Sequence, residues 1–500
     1  MSVVSRWSEV KSIMGIRTAE QYRAGIRDGR RVFLRGEKVE DVTTHPVLGV
    51  ACDTIAAGYE LCASDNPAIR DLYVAKHPET GEPIHRLFVT PKDSADLELR
   101  SQAIQRAIEL TGCLPFGKEI GTDCLNAVIV VAGQLGHARY RDNALAFLEH
   151  IRKNDLHTCG AVTCVKGDRS KDPSKQKHPD YYLRVVDKDE KGIVVKGAKI
   201  HITSAPLADE LVVLPTRQMR ETEADYAVAF ATPANAPGIT YVCRSGRGAW
   251  EDHEFHPNRP LRELTEAMVV FDNVFVPWER VFMCGEWQFS MALAYTFATF
   301  HRFSAISYKI PCVEIMVGCA LAMAKYNGLE KAGHIRDKLA DLAAYVETLR
   351  ALTQAASSKP MMLGPIAAPN PLIANMAKLH FASHYHEFSA KIQDIAGGII
   401  ATAPDKKDWD NPETHDFLAH YLGGSDRYDA LDRLKMIHET MRQVCSHESA
   451  FHQVMSVHAE GSMAAQKMMI LAESPMQRYE TLAHAFAGII PWDSMTNGAR

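Results

Sequence analysis

The sequence predicts an α+β protein in which two helical regions flank a region of short strands. Apolar residues recur at three- and four-residue spacing up to about residue 150 and again from about residue 287, which is the period of a helix. Between these regions the spacing changes to two, in short runs rich in Val, Ile, Tyr and Phe. We therefore expect an N-terminal helical domain over 1–150, a central β domain over 151–286 and a C-terminal four-helix-bundle domain over 287–500.

Four helices are predicted in the first region, each bounded by Gly, Pro or Asp. They cover 17–29, 46–64, 94–112 and 123–136. The central region contains six short runs with the alternation of strands: "YYLRVVDKD", "GIVVKGAKIHIT", "ELVVLPT", "DYAVAFATP", "GITYVCR" and "AMVVFDNVFVP".

The C-terminal region begins with a long helix over 288–328 that is apolar on all sides, followed by helical patterns over 334–358, 371–400 and 428–472. A helix that is apolar all round must be buried, so we expect it inside a bundle and against sister subunits.

Composition excludes several classes of protein. The chain has 500 residues, 46% of them hydrophobic, and a net charge of −5 with both signs interspersed, so no basic face points to nucleic acid. No run of 18 apolar residues predicts a membrane span, and the N-terminus lacks the pattern of a signal peptide. The eleven cysteines are scattered and odd in number, which is typical of reduced thiols in a cytoplasmic protein.

The common short motifs are missing. The sequence contains no GxGxxG after a strand, no GxxxxGK[ST], and no HExxH, CxxC or GxSxG. A Rossmann site, a P-loop and the usual metalloprotease, zinc-ribbon and hydrolase sites therefore have no support. A flavin stays possible, because some folds bind FAD between a β domain and helices without a glycine fingerprint.

Four stretches together resemble the 4-hydroxyphenylacetate 3-hydroxylase family, which also contains 4-hydroxybutyryl-CoA dehydratase. They lie at 17–46, 166–205, 269–282 ("VVFDNVFVPWERVF") and 394–404 ("DIAGGIIATAP"). The resemblance covers nearly the whole chain. It implies the acyl-CoA dehydrogenase-like fold, a homotetramer or dimer, and bound FAD.

The resemblance also implies a flavin site. The residues carried over as cofactor-binding are Gly160, Ala161, Val162, Lys166, Gly167, Asp168, Arg169, Thr203, Glu460, Gly461 and Ser462. Thr203 would hydrogen-bond near the flavin N5 edge, and an Arg fork such as that of Arg169 suits the diphosphate. The alternative is that Asp168 and Arg169 form only a local salt-bridged turn.

The dehydratase branch of the family holds a [4Fe–4S] cluster with three Cys and one His. The matching positions here are occupied by Pro115, Glu119, His301 and Tyr308. Cys113 and Cys124 are present but displaced from the ligand positions. Because a cluster of this kind needs thiolate sulfur, the resemblance predicts no metal site in this chain.

Other dehydratase positions have also changed. An expected tyrosine is Ala305, and a glutamate expected in the C-terminal domain is Met455. Only Glu266 and Lys309 keep the pattern. The hydroxylase branch grips a phenolate with Arg, Tyr and His, and these positions hold Ile120, Cys124 and Gly160, so 4-hydroxyphenylacetate is not the expected substrate.

The polar residues left near the implied flavin are the candidate site residues. His301, Glu266, Tyr308 and Lys309 are candidates for catalysis, and His157, Thr216 and Arg302 for substrate contact. Each has a structural alternative: His301 as a hydrogen-bonded core residue, Glu266 as a strand cap, Lys309 as an ion pair with Glu266, and Arg302 as an intersubunit ion pair. Cys159 and Cys164 near His157 are read as buried thiols rather than zinc ligands, because no fourth ligand is present.

Three functions remain open. The first is an FAD-dependent monooxygenase that takes FADH2 from a separate flavin reductase and inserts one atom of O2 into a small aromatic or related organic substrate. The second is a cluster-free dehydratase or isomerase acting on a hydroxyacyl-CoA or enoyl-CoA. The third is a non-catalytic scaffold that keeps the fold.

Overall fold

The computed structural model of the protein describes residues 15–111, 118–244 and 265–491. The N-terminal helices are α1 (Ala19–Gly25), α2 (Leu48–Cys62), α3 (Pro67–Tyr73), α4 (Ser94–Thr111), α5 (Glu119–Gln134) and α6 (Ala138–Asn154). All four helices predicted in this region are present. Thr18 caps α1 in a capping box with Gln21, which explains why the helix begins there.

The N-terminal region is less purely helical than the sequence predicts. It contributes four short strands, β1 (Arg31–Leu34), β2 (Glu37–Val39), β3 (Val74–Lys76) and β4 (Pro83–His85). Strands β1 and β2 form a hairpin around Gly36, and β1 pairs in parallel with a strand of the central region. The hairpin thus belongs to the central sheet, because its apolar face is covered only there.

Six of the eight central strands that the structure describes coincide with the predicted runs, in the predicted order, whereas the first and the last were not predicted. The eight strands are β5 (Thr158–Ala161), β6 (Arg184–Lys188), β7 (Gly192–Thr203), β8 (Glu210–Val213), β9 (Val228–Pro233), β10 (Ile239–Cys243), β11 (Glu266–Pro277) and β12 (Val281–Cys284). A six-stranded sheet has the order β2-β1-β10-β11-β7-β6, and a four-stranded sheet the order β12-β9-β8-β5. One large apolar core joins the two sheets to helices α2, α5 and α6.

The C-terminal region is helical apart from the hairpin β13 (Met361–Leu363) and β14 (Ile366–Ala368). Its helices are α7 (Ser290–Tyr326), α8 (Gly333–Ser358), α9 (Pro371–Ala396), α10 (Ile399–Thr402), α11 (Lys406–Asp410), α12 (His415–Tyr421), α13 (Ala430–Val444), α14 (His447–His458), α15 (Met463–Glu473) and α16 (Met476–Phe486). A second apolar core lies among α7, α8, α9 and α13. The predicted helical, β, helical order of the α+β fold is confirmed.

Helix α7 is the central element of the molecule, since it packs against α4 and α5 on one side and α8, α9 and α13 on the other. The helical stretch Trp287–Tyr326 has the length and mean hydropathy (1.5) of a membrane-crossing helix. Within the protein, however, 61% of its most apolar window is buried, as in the core helix of a bundle.

Candidate active site

Thr203 and Glu266 are cross-strand neighbours at the ends of two interior strands of the six-stranded sheet. Thr203 ends β7, Glu266 begins β11, and the antiparallel register places them directly opposite each other. The Thr203 hydroxyl donates a hydrogen bond of 2.7 Å to Oε1 of Glu266. The register therefore brings together two residues that are 63 positions apart and that the sequence assigned to different roles.

Glu266 is half-buried, and Oε2 of its carboxyl group is out of contact with solvent. Its Oε2 has no hydrogen-bond partner among the residues that the structure describes. Burial raises the pKa of Glu266 from 4.5 to about 7, although the Thr203 hydroxyl and the charge of Arg244 act in the opposite direction. A carboxyl group in this state can give or take a proton near neutral pH.

Strand β5 connects this pair to helix α5. The Cys159 thiol donates to the carbonyl oxygen of Thr203 at 3.0 Å. A Cβ atom on Gly160 would lie 2.7 Å from Sγ of Cys124 and 2.8 Å from a methyl carbon of Ile120. Any larger residue would collide with α5, so only glycine fits at this close approach of β5 and α5. Gly160, the first of the predicted cofactor residues, therefore packs directly against the N-terminal domain.

A cluster of apolar side chains occupies the region between α4, α5, α7 and α14, and we refer to it as the apolar wall. It consists of Leu87, Ile104, Ile108, Ala305 and Tyr308, with Ile120, Cys312 and Met455 packed against it. Three of these residues stand at the positions of the dehydratase tyrosine, cysteine and glutamate. The wall therefore fills the place at which relatives with a cluster would need polar and thiolate side chains.

At the end of the apolar wall lies a buried charge cluster of Tyr308, Lys309, Lys378 and Glu460. Oε1 of Glu460 accepts hydrogen bonds from the Tyr308 hydroxyl at 2.5 Å and from Nζ of Lys309 at 2.7 Å. Nζ of Lys378 lies 3.2 Å from Oε2. The Lys and Glu side chains are at most 5% exposed, so the two ammonium groups share one carboxylate in a dry environment.

The pKa values reflect this arrangement. Burial would raise the pKa of Glu460, but Lys309 and Lys378, with a further contribution from His301, hold it well below its usual range. Burial lowers the pKa of Lys378 to about 8, although Glu460 opposes that change. Burial and the neighbouring Glu460 raise the pKa of the Tyr308 phenol well above 10. Glu460 is thus an anion, and Tyr308 keeps its proton.

Helix α14 links the two halves of the site. Phe451 lies under the guanidinium of Arg244, 3.7 Å from the ring centre, and the Arg244 backbone N–H donates to the carbonyl oxygen of Glu266 at 2.8 Å. One turn further along the same helix, Met455 packs on the apolar wall beside Tyr308. The contacts thus form a closed path through β7, β5, α5, α7, α14 and β11.

Backbone strain concentrates along this path. Among the described residues, seven other than glycine have a positive φ angle, and four of them lie in the predicted cofactor motifs. These four are Lys166 (φ 75°), His201 (φ 60°), Ser204 (φ 59°) and Glu460 (φ 58°). Such conformations each cost about 1–3 kcal/mol and cluster at functional sites.

His301 is buried on α7 and is hydrogen-bonded rather than free in an apolar setting. Its Nδ1 lies 3.3 Å from Oδ2 of Asp123, a fully buried carboxylate on α5. The imidazole stacks on Phe297 at 5.1 Å between ring centres. The structural alternative of a hydrogen-bonded core histidine and a role in proton transfer are both compatible with these contacts.

The loop after β5 lies at the surface. Lys166 and Gly167 adopt left-handed backbone conformations, and Val162 and Ala161 precede them at the end of β5. Asp168 and Arg169 are exposed. Asp168 forms a local turn in which it accepts from Ser170 and pairs with Lys171 at 3.4 Å, so the salt-bridge partner in this turn is Lys171 and not Arg169. Flavin contact by this loop stays a prediction.

The three candidates for substrate contact are engaged in contacts within the chain. His157 is buried and stacked on Tyr22. Thr216 fastens the loop: its Oγ1 accepts from the Cys164 backbone N–H and donates to the Val162 carbonyl oxygen, both at 2.7 Å.

Arg302 is 2% exposed, and its guanidinium donates to the carbonyl oxygen of Glu460 at 2.9 Å and to Oδ1 of Asn375. Gly461 is adjacent, since a Cβ there would lie 2.7 Å from Nη2 of Arg302, and Ser462 caps α15. The alternative of an intersubunit ion pair is therefore wrong for Arg302, whose partners lie in its own chain. Substrate contact by these residues stays a prediction.

Two further expectations need correction. Lys309 pairs with Glu460 and not with Glu266, because α7 turns Lys309 towards α9 and the turn before α15. Met455 does replace the expected glutamate in the sequence, but Glu460, five positions later, supplies a carboxylate to Lys309. In the described part of the chain no group of three or more His, Cys, Asp and Glu side chains is arranged to hold a metal ion, and Cys159 and Cys164 are buried free thiols.

Both halves of the chain match sequence profiles of one protein family. Residues 18–283 match the sequence profile of the 4-hydroxyphenylacetate 3-hydroxylase N-terminal domain, and residues 290–488 that of the C-terminal domain. The chain belongs to the 4-hydroxyphenylacetate 3-hydroxylase family. The family predicted from the four sequence stretches is therefore confirmed.

Similar members of the family come from both branches. The 4-hydroxybutyryl-CoA dehydratase/vinylacetyl-CoA-Δ-isomerase of Clostridium aminobutyricum is 33% identical over 94% of this chain and 99% of its own length. The oxygenase component of 4-hydroxyphenylacetate 3-monooxygenase from Thermus thermophilus is 32% identical over 79% of this chain and 81% of its own length. The crystal structure of such an oxygenase component, complexed with FAD and 4-hydroxyphenylacetate, has a TM-score of 0.87 and 27% identity over 97% of this chain and all of that chain.

Sequence reasoning missed three residues of the site. Asp123 lies in "GTDCLNAV", two residues after Gly121, and no motif in the sequence marks it as a site residue. Lys378 is one of two Lys on α9, and Arg244 follows a strand. For Lys378 a signal was available, because a Lys on the apolar face of a helix needs a buried anion.

Proposed function

We propose that this chain binds FAD where β5, β7 and β11 meet α5, α7 and α14, and acts as a two-component flavin-dependent monooxygenase. It would take FADH2 from a separate flavin reductase and transfer one atom of O2 to a small aromatic or related organic substrate. The observation that carries the proposal is the Thr203–Glu266 pair, in which Oε2 of Glu266 is buried without a partner among the described residues. Relatives named as monooxygenase oxygenase components, and one named as an FADH2-dependent monooxygenase, support it.

The residues present fit a flavin but not an iron–sulfur cluster. Glu266 leaves a buried carboxylate oxygen without a partner among the described residues, as expected where a bound group is to be contacted. Of the three positions that would need a cluster cysteine, Pro115 lies outside the described residues, Glu119 is a buried carboxyl side chain, and Tyr308 packs in the apolar wall. Thiolate ligation through these side chains is impossible.

The protein's own contribution follows from the contacts. Reduced FAD, when bound, supplies the electrons that activate O2. The apolar wall excludes water from that space, Thr203 orients the carboxyl group of Glu266, and Glu266 exchanges a proton with the substrate. Because Ile120, Cys124 and Gly160 occupy the positions of the phenolate-gripping residues, the substrate differs from 4-hydroxyphenylacetate.

A second candidate is a cluster-free isomerase or dehydratase acting on a CoA thioester. It is favoured by the pKa of Glu266 near 7, which suits removal of a proton next to a thioester carbonyl, and by Lys309 with its carboxylate partner. The similarity to the Clostridium aminobutyricum enzyme over nearly its full length also supports it.

One set of measurements separates the candidates. We expect the pure protein to bind FAD or FADH2 in a fluorescence titration and to lack stoichiometric iron and sulfide. With FADH2 and 18O2, a panel of phenols and nitrophenols should yield a product carrying one labelled oxygen. Anaerobic conversion of vinylacetyl-CoA or 4-hydroxybutyryl-CoA without uptake of oxygen would instead establish the second candidate, and failure to bind either form of FAD would leave a scaffold.

Two broader expectations belong to the same proposal. The chain would work in the cytoplasm, as its reduced cysteines predict, and assemble as a homotetramer. Support for assembly comes from the C-terminal helices, where large apolar side chains are exposed on α15 and α16: Met468, Leu471, Met476 and Tyr479.

A further inference from the structure

His301 belongs to a buried hydrogen-bonded group that spans three helices. Asp123 comes from α5, Arg100 from α4, and His301 and Ser304 from α7. Each of these residues is less than 10% exposed, and Asp123 and Ser304 are fully buried. The group lies directly behind the candidate active site, since α5 also carries Ile120 of the apolar wall.

The two oxygens of Asp123 have separate partners. Oδ1 accepts hydrogen bonds from Nη2 of Arg100 at 2.7 Å and from the Ser304 hydroxyl at 3.0 Å. Oδ2 faces Nδ1 of His301 at 3.3 Å. Arg100 is further held by the Leu87 carbonyl oxygen at 3.1 Å, so it keeps Oδ1 in place and Oδ2 directed at the imidazole.

The separate partners of Oδ1 and Oδ2 of Asp123 determine which ring nitrogen of a neutral His301 carries the proton. A carboxylate only accepts hydrogen bonds, so a neutral His301 must carry its proton on Nδ1 and present the lone pair of Nε2. Stacking on Phe297, with 15° between the ring planes, restricts rotation of the ring. Nε2 has no hydrogen-bond partner within the described residues, and the side chain keeps 11% of its surface exposed.

We propose that Asp123 is a positioning residue that holds His301 in the Nδ1–H tautomer, so that Nε2 can accept a proton from the substrate. The proton bound at Nε2 leaves an imidazolium beside the Asp123 carboxylate, which stabilises it, and the same proton is later returned to product or water. The assignment of His301 to proton transfer rests on the proposed function, whereas the tautomer depends only on the geometry. A purely structural Asp123 would serve to neutralise Arg100.

The tautomer can be measured without substrate or flavin. We would label the ring nitrogens of histidine with 15N, record magic-angle-spinning NMR spectra of the sedimented protein, and assign His301 by difference from His301→Asn. We expect a protonated Nδ1 and an unprotonated Nε2. A ring protonated on Nε2, or on both nitrogens, at pH 8 would overturn the inference even if the monooxygenase assay succeeds.

Asp123→Asn provides the matched perturbation. Arg100 and Ser304 would bind the amide oxygen, which leaves the amide NH2 facing His301 and selects the opposite tautomer. We expect the His301 signal to move to the Nε2-protonated form in this variant. It should stay unchanged in Ser304→Ala, which removes a donor to Oδ1 and an acceptor of Arg100 Nε–H but keeps the bond from Arg100 Nη2 to Oδ1. An unchanged His301 signal in folded Asp123→Asn would contradict the inference, and if that variant does not fold, the wild-type spectrum alone decides.

Kinetics provide the second readout. With the substrate identified by oxygen incorporation, kcat of Asp123→Asn should fall about 100-fold or more, with KM nearly unchanged. His301→Asn keeps a donor towards Asp123 but lacks Nε2, and the double variant should be no slower than His301→Asn alone. Additive losses in the double variant would show that Asp123 acts independently of His301.

Discussion

Glu266 shows how strongly the environment of one side chain changes its chemistry. In solution a glutamate is ionised at neutral pH, but here burial raises its pKa to about 7, so both protonation states are populated. The hydroxyl of Thr203 stabilises the ionised form and so prevents a larger rise. A single cross-strand pair thus determines whether the site contains a base or an acid.

The raised pKa has a consequence for stability that can be tested by Glu266→Gln. The folded state binds a proton more tightly than the unfolded state, so its advantage is complete below about pH 4.5 and is lost as the pH rises through 7. Gln does not titrate, so the variant lacks this loss of stability with rising pH. The unfolding free energy of Glu266→Gln minus that of wild type should therefore increase by about 2–3 kcal/mol from pH 5 to pH 8.

Urea unfolding at the two pH values measures this gain. Glu37→Gln is the control, because Glu37 also begins a strand of the six-stranded sheet but is exposed. A pH-independent difference between wild type and Glu266→Gln would show that the folded-state pKa of Glu266 is ordinary.

At the scale of the elements, close approach of backbones positions the site. Helix α5 crosses strand β5 at Gly121 and Gly160, and at both places a side chain would collide with the neighbouring element. The crossing brings Ile120 to the apolar wall and Asp123 to His301. On the opposite side of the site, helix α14 contacts Arg244 through Phe451 and the apolar wall through Met455.

Gly121→Ala tests this crossing. The added Cβ would lie 2.1 Å from Oγ1 and 2.8 Å from the backbone carbonyl carbon of Thr158, so β5 must shift, and we expect a loss of about 1–3 kcal/mol in unfolding free energy. Thr158→Ala should restore only part of the loss because the backbone contact persists. Gly133→Ala, in the same helix with nothing within 4 Å, should instead stabilise by about 0.5–1 kcal/mol.

The turn between α14 and α15 depends on the charge cluster. Glu460→Gln would leave Lys309 and Lys378 buried without their shared anion, and we expect a loss of about 3–5 kcal/mol in thermal or urea unfolding. Tyr308→Phe, which removes the hydrogen bond to Glu460 and the one accepted from Lys309 but no charge, should cost about 1–2 kcal/mol. Equal effects of the two substitutions would mean that the ammonium groups are neutral or solvated in the folded protein.

At the scale of the whole molecule, assembly is the property that the apolar surface of the C-terminal helices predicts. Leu471 and Met468 on α15 are 60% and 66% exposed. Leu471→Glu should lower the mass measured by light scattering from that of a tetramer to that of a smaller species. Leu145→Glu on α6 is the control, since Leu145 is an exposed apolar residue remote from α15, and dissociation by both variants would point to general instability.

Much of the molecule follows from the residues alone. The boundaries of β7 and the presence of α1, α2, α4 and α5 follow from the spacing of apolar residues and the Gly, Pro and Asp breaks between them. Strand β7 and helix α4 bury one face, whereas α5 is buried on nearly all sides and is apolar over most of its length. Strands β1 and β2 were missed, since short strands with few apolar residues differ little from loops until their sheet partner is known. Family membership followed from motifs, which record ancestry rather than packing.

The local pattern of the chain was sufficient for the order of helices and strands and for the α+β class, because both depend on residue type and spacing. The loss of the cluster cysteines was implied by the resemblance to the family. Partnerships between distant side chains were decided by the three-dimensional packing. Glu460 rather than Glu266 meets Lys309, and Asp123 meets His301, because α5, α7 and the turn before α15 converge there. Burial then sets the protonation of each group, and burial exists only once the chain has folded.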